Sequence, residues 1–407
     1  MQRFWFLRFF CILFTFCLYA RGTSKAAGVF SEVRQAFREA IESGKVAGGV
    51  HLVVRQGETQ YFEVGGYSDI ERKIPFKADT IVRIYSMTKP ITSVAAMILF
   101  EQGKFQLDDP VSRFIPAFKE TIVLERDGDS TKIVPARREI TVRDVFRHTT
   151  GYSYGDGKPS PVEYYRKEGM RYRPPAAMMP PKMSIEAAAE ALARIPALHH
   201  PGERWTYGFS TDLLGRLIEV WSELPLDQYL QQAIFEPLAM RDTGFSVPVA
   251  KRGRLASCHA FRDGRLVIVD PAATSPFAEG FEFLSGGGGL VSEIGDYANF
   301  CQMLVDGGTF EGRRLLKEKT LALMFTDQLK GIAGDFRFGL GFAISDVEIG
   351  SGDRKRTAEQ YSWGGYASTD FRVIPSEKLF QIMIRQRVPS SHALASRLFQ
   401  DVYRGLE

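Results

Sequence analysis

The chain has 407 residues, 44% of them hydrophobic and 25% charged, with a formal net charge of +4. That is the composition of an ordinary globular protein with room for two or three cores. So small a charge argues against a nucleic-acid binder or a strong membrane-surface binder, and the chain shows no repeat or low-complexity tract.

At the N-terminus, Arg3 and Arg8 precede an apolar run from Phe9 to Ala20, and Arg21-Gly22-Thr23-Ser24-Lys25 follows. This is the order of a secretory signal, so residues 1–27 read as signal and linker, cleaved after Ala20, and the protein as exported. Leu18 is large for the position three before the cleavage site, which leaves an uncleaved N-terminal anchor as the alternative. The run is short for a full span, and no stable membrane span is expected after processing. Of four cysteines, Cys11 and Cys17 lie in this segment. Cys258 and Cys301 read as buried thiols, and no Cys/His spacing fits zinc.

Phe30 to Ser43 has the periodicity of an amphipathic helix, and Gly44 stops it. Gly49 to Arg55 and Gln60 to Val64 read as antiparallel strands around Gln56-Gly57-Glu58. Then comes Ser86-Met87-Thr88-Lys89, with a helical run from Ile91 to Gln102 behind it. Three residues on a helix is one turn, so Ser86 and Lys89 share a face. A serine hydroxyl needs a neighbouring base to act as a nucleophile, and the helix N-terminus suits a developing anion. Lys89 is the candidate base, provided its surroundings favour the neutral amine.

Leu107 to Phe118 reads as a turn and short helix, Glu125 to Lys132 as a charged loop, and Ile140 to Phe146 as a short helix capped by Thr141. Gly151-Tyr152-Ser153-Tyr154-Gly155 fits the G-x-S-x-G nucleophile elbow. An elbow needs a buried strand before it and a helix after it. Polar Arg147-His148-Thr149-Thr150 and Asp156-Gly157-Lys158-Pro159 supply neither, so Ser153 is set aside. Met170 to Met183 is irregular; Ser184 to Ile195, Thr211 to Val220 and Leu226 to Ile234 read as helices. Tyr207, just ahead of the second of these, can move protons to and from a serine if it faces a cleft.

Gly286 to Gly289 lacks the strand and helix context of a nucleotide loop and reads as closely packed backbone beside a pocket. Asp296 to Val305 is a helix. Strands follow at Gly339 to Ser345, Thr369 to Ile374 and Leu379 to Arg385, then a helix from Ala393 to Tyr403. Tyr361-Ser362-Trp363-Gly364-Gly365-Tyr366 stands just before a strand. Its glycines allow a backbone to approach a ligand, and an N–H after them can join an oxyanion hole. Strands thus gather at both ends of the chain and helices in the middle. We expect an α+β fold: residues 28–85 with 280–407 as a split sheet domain, and 86–279 as a mostly helical domain.

Ser86-Met87-Thr88-Lys89, Tyr207 and Trp363-Gly364-Gly365, in that order, resemble the serine β-lactamase-like family. That family spans class C β-lactamases, D-alanyl-D-alanine peptidases and β-lactamase-type (family VIII) carboxylesterases. Further matches are Leu107-Asp108-Asp109-Pro110, Arg147-His148-Thr149-Thr150-Gly151, Pro237 to Thr243, Gly286 to Leu290 and Phe338 to Phe342. The resemblance implies a β-lactamase/penicillin-binding-protein-like fold, an antiparallel sheet flanked by helices plus a helical domain. It implies that Ser86 is the acylated nucleophile, Lys89 its base and Tyr207 the proton shuttle. The N–H groups of Ser86 and Tyr366 would form the oxyanion hole.

Two departures decide the branch. Trp363 stands where the β-lactamases carry the lysine of Lys-Thr-Gly, and Phe209 stands at the asparagine of Tyr-x-Asn. Trp363, Gly364, Gly365 and Phe209 are therefore the expected substrate-binding residues, and Phe209 should offer apolar surface to an acyl chain. The pattern looks most like the carboxylesterases and related acyltransferases. We expect a serine hydrolase of short-chain esters that needs no cofactor or metal, with an ester, β-lactam or peptide as small-molecule partner and no nucleic acid. A β-lactamase or peptidase, an acyltransferase, or a catalytically silent binding protein on the same fold are the alternatives.

Overall fold

The computed structural model describes residues 24–127, 130–158, 160–170 and 182–406. The signal-like segment and most of Met170 to Met183 lie outside the described residues. Among the described residues no helix is long and apolar enough to cross a membrane.

The architecture rests on an eight-stranded, wholly antiparallel sheet. Its spatial order is Arg337–Phe338, Ala343–Ile349, Arg356–Gly365, Thr369–Ile374, Leu379–Arg385, Gly48–Arg55, Glu58–Asp69 and Ile74–Pro75. Strands from the two ends of the chain meet at its centre, where Gly49 to Arg55 pair with Arg385 to Leu379. The strand Gly48–Arg55 is buried along almost its whole length because both faces of the sheet are covered. On one face Val53, Tyr61 and Met383 pack with Phe37 of the helix Ser24–Glu42 and Leu398 and Phe399 of the helix Ala393–Gly405. On the other, Val50, Leu52, Phe371 and Val373 join the larger core, which contains the helix Thr88–Glu101. That helix is apolar nearly all round, as a helix buried on every side must be.

One expectation is corrected and two are extended. Glu125 to Lys132 is not a loop: Ile122–Asp127 and Ser130–Pro135 form a hairpin. Its charges line the tip, while Val123 and Leu124 are buried and the Leu124 N–H donates to the Ala197 carbonyl at 2.8 Å. A second hairpin, Cys258–Arg262 with Arg265–Asp270, also lies in the stretch read as mostly helical. Finally, Tyr361 to Gly365 stands just before the strand Thr369–Ile374, as expected, and is itself the end of a strand. Arg356–Gly365 pairs with Ala343–Ile349 only as far as Ser362 opposite Ala343, yet continues on its other side to Gly365 opposite Thr369. Residues 363–365 are therefore an edge open on one side. Cys258 and Cys301 are buried, unpaired and in different clusters.

Candidate active site

Ser86 sits in a single 3-10 turn, Tyr85–Met87, that runs directly into the helix Thr88–Glu101. Tyr85 holds φ at +42°, an uncommon conformation for so bulky a residue. The turn's first internal bond is from the Met87 N–H to the Ile84 carbonyl, so it provides no acceptor for the Ser86 N–H. One turn on, Lys89 is only 1% exposed. Its Nζ lies 3.3 Å from Ser86 Oγ, 3.0 Å from Tyr154 Oη and 2.7 Å from the Gly287 carbonyl. Nζ thus has three polar neighbours, Ser86 Oγ among them.

Tyr207 donates from its hydroxyl to Ser86 Oγ at 2.6 Å, and its ring lies under Lys89 with Nζ 4.6 Å from the centroid. Its placement is due to the next residue. Gly208 bridges to Ser153, and a side chain there would collide with the Tyr152 carbonyl. Only glycine permits that approach. It brings Tyr154 and Tyr207 edge to face, 5.6 Å apart. Ser86 and Lys89 thus face two phenols, one from each strand of the bridge.

Tyr154 in turn donates to Asp212 Oδ2 at 3.2 Å. Asp212, in the first turn of the helix Ser210–Ser222, is buried and also accepts from Ser285 Oγ and from the Gly287 N–H at 3.0 Å. Burial pushes its carboxyl up, against the pull of Lys89 and these donors. Gly287 gives its N–H to Asp212 and its carbonyl to Lys89, so the glycine run is built into the site's floor. His148 lies behind Tyr207 at 5.2 Å, held well below its ordinary pKa by burial and by Lys89.

A cleft of about 570 Å³ opens on Ser86, Tyr154 and Tyr207 and runs along the open strand edge. Trp363 forms one wall, its ring 5.4 Å from Tyr207 and 5.3 Å from Phe338, and its Nε1 has no hydrogen-bond partner among the described residues. Gly364, Gly365 and Tyr366 continue the wall. A Cβ at Gly365 would collide with the Ile84 carbonyl, so the strand lies hard against the residue two before Ser86.

The structure therefore brings together Ser86, Lys89, Tyr207, Trp363, Gly364, Gly365 and Tyr366. Phe209 is not among them. It is 1% exposed and packs on Tyr154 at 4.8 Å and Tyr165 at 5.4 Å, behind the site rather than in the cleft. The expectation that it meets the substrate is corrected: it supports Tyr154. Ser153 is buried, with its Oγ accepting from the Gly155 N–H at 3.1 Å. Sequence reasoning missed Tyr154, because the G-x-S-x-G pattern drew notice to the serine beside it, and missed Asp212, whose only signal was its distance of five residues from Tyr207. Among the described residues, no group of three or more His, Cys, Asp or Glu is placed to hold a metal ion.

Esterase EstB of Burkholderia gladioli is 29% identical over 223 residues, 54% of this chain and 52% of its own length. Monacolin J acid methylbutanoyltransferase of Aspergillus terreus is 30% identical over 310 residues, 72% of this chain and 70% of its own. The solved structure of EstCE1, described as a hydrolase with promiscuous acyltransferase activity, superposes with a TM-score of 0.74 at 24% identity, covering 93% of this chain and 98% of that one. Residues 33–402 match the family model described as Beta-lactamase. The chain belongs to the β-lactamase family of serine hydrolases, whose fold it shares with esterases and acyltransferases.

Proposed function

We propose that the protein hydrolyses short-chain carboxylic esters through an acyl-enzyme on Ser86. The observation that carries this reading is the Ser86 hydroxyl held between Tyr207 Oη at 2.6 Å and Lys89 Nζ at 3.3 Å, facing an open cleft. Ser86 Oγ attacks the ester carbonyl carbon as its proton passes to Lys89 in the neutral amine form. The carbonyl oxygen becomes an anion between the N–H groups of Ser86 and Tyr366. The C–O bond to the alcohol breaks, and Tyr207 delivers a proton to the departing oxygen, replenished from Lys89. Water then attacks the acyl-enzyme, giving its proton to Tyr207 as the phenol passes its own to the neutral amine of Lys89, and Ser86 leaves with that proton returned from Lys89. Tyr154 and Asp212 hold Lys89 in place throughout.

Trp363 supports esters over β-lactams, because a substrate carboxylate at this position of the strand meets an indole instead of an ammonium. A charge-assisted contact contributes about 1.5–3 kcal/mol, roughly ten- to a hundredfold. Acyl transfer is the second reading, supported by the Aspergillus relative: an alcohol replaces water at the acyl-enzyme. The test is p-nitrophenyl acetate and butyrate turnover beside a penicillin, a D-Ala-D-Ala peptide and added alcohols. Ser86→Ala should abolish ester turnover and phosphonate labelling, and Ser153→Ala should leave most of it. The opposite pattern, or equal turnover of penicillin and ester, sinks the proposal. Export with loss of residues 1–20 also belongs to it, and N-terminal sequencing of protein from an exporting host decides that point.

A further inference from the structure

The cleft does not end at Trp363. Beyond Gly364 it passes to the opposite face of the sheet, where Arg372, His392 and Ser396 form its wall. Strand register explains the passage. Trp363 stands opposite Phe371, whereas Ser362 and Gly364 stand opposite Arg372 and Asp370. Alternation puts the second set on the far face, away from Trp363. Gly364 has no side chain to block the way. A Cβ there would lie 2.8 Å from His392 Cε1, so the imidazole rests on the strand itself.

The charges at this end do not cancel. Asp370 is shared between His392 Nδ1 at 2.6 Å and the fully buried Arg385, whose Nη2 is 3.3 Å away. Arg372 is left without a carboxylate partner among the described residues. Its Nη2 donates to Ser396 Oγ at 3.0 Å and its guanidinium lies 4.9 Å over the Phe399 ring. Those contacts fix the group's orientation while leaving its charge uncompensated. His392 is 42% exposed at the mouth of the same space. The helix Ala393–Gly405 begins at the residue after His392. Asp156, the other acidic residue on the cleft wall, follows Tyr154 on the helical side.

We propose that this far end binds a carboxylate carried by the substrate, so that the ester opened at Ser86 belongs to an acid-bearing molecule, either a hydroxy acid or a diacid monoester. The inference rests on the ester-hydrolase reading above. A guanidinium fixed by a hydroxyl and a ring, beside a histidine, suits the planar, two-pronged carboxylate. The cation absent from position 363 is thus supplied by a neighbouring strand and helix, farther from the reacting carbon.

Two matched pairs test this: monomethyl glutarate against dimethyl glutarate, with the charge on the acyl side, and 4-acetoxybutanoic acid against its amide, with the charge on the alcohol side. The wild type should prefer the acid in one pair by about ten- to a hundredfold in kcat/KM, through KM. That ratio should collapse toward one in Arg372→Gln, recover in part in Arg372→Lys, and fall severalfold in His392→Gln. A ratio near one in both pairs, or one indifferent to Arg372→Gln, overturns the subsite while leaving the esterase intact. The esterase reading fails separately, by absence of Ser86-dependent turnover of any member. Calorimetry with glutarate alone then decides: at least tenfold tighter binding to the wild type than to Arg372→Gln upholds the subsite, and equal binding overturns it.

Discussion

Lys89 illustrates how much one side chain depends on its partners. It is buried, and no carboxylate pairs with it directly among the described residues; the nearest charge compensation comes through Tyr154 to Asp212. A phenol is thus interposed between Lys89 and the Asp212 carboxylate. Tyr154→Phe removes that link without emptying the space. We expect kcat for p-nitrophenyl butyrate to fall about ten- to a hundredfold with KM little changed, the effect of one hydrogen bond to a charged group. Unchanged kcat would reduce Tyr154 to packing. At Trp363 the expectation runs the other way. Trp363→Lys should raise penicillin turnover relative to ester turnover by about tenfold or more, measured as a ratio of kcat/KM. A ratio that stays fixed would mean that position 363 does not set substrate choice.

At the scale of elements, the site is made where segments that are distant in sequence touch at backbone level. The Ser153–Gly208 bridge aligns two tyrosines, and the edge of Arg356–Gly365 lies against the Ser86 turn. Gly208→Ala places a methyl group into the Tyr152 carbonyl, and the bridge must open. Overpacking of this kind costs about 1–3 kcal/mol. Ester kcat/KM should fall about a hundredfold or more, with only a modest drop in Tm, because the bridge carries both phenols and little of the core. A fully active Gly208→Ala variant would refute the bridge as the positioning device. The motif Arg147-His148-Thr149-Thr150-Gly151 acts at this scale also. Asp144, in a capping box with Thr141, accepts from Arg138, Arg147 and Thr149, and so ties the short helix Val142–Phe146 to the segment that leads to Tyr154.

For the molecule as a whole, the buried histidines set the response to acid. Burial pushes His51 down to about 4 and His148 well below its ordinary value, and lowers His199 and His259 as well. A histidine whose folded pKa is depressed contributes stability that is fully present above its unfolded pKa of about 6.5 and is lost as the pH falls toward the folded value. For His51 that window is between about 6.5 and 4. Each of these imidazoles should therefore take up a proton on unfolding in this range, while Glu293, pushed up to about 7 by burial and by Asp296, should release one. The denaturation midpoint should drop steadily from pH 7 to pH 4, and His51→Gln should flatten the slope by roughly one proton. A His51→Gln slope equal to that of the wild type would show that this imidazole is not carried neutral in the fold.

Much of this protein can be read along its chain. Ser86 and Lys89 are one helical turn apart, so their meeting is a local matter that spacing alone conveys. The amphipathic N-terminal helix, the Thr141 cap and the two-ended supply of strands were legible for the same reason: each depends on periodicity or on neighbours a few residues away. Only the tertiary structure decided the rest. Phe209 lies behind the site and Tyr154 within it, since burial depends on what packs behind a residue and the sequence position says nothing of that. Asp212 joined Lys89 through a tyrosine 58 residues before it in the chain, a contact no spacing rule contains. The Glu125 to Lys132 segment hid a hairpin because charges at its tip outweighed the short apolar flanks. That Trp363-Gly364-Gly365 is itself paired strand is not visible along the chain, because glycine pairs usually make turns. Here the glycines let the open end of a strand lie against the Ser86 turn and let a cleft pass between the two faces of a sheet. Local interactions act along the chain and can be read along it; the cleft exists only where two distant stretches of backbone approach closely enough to exclude side chains.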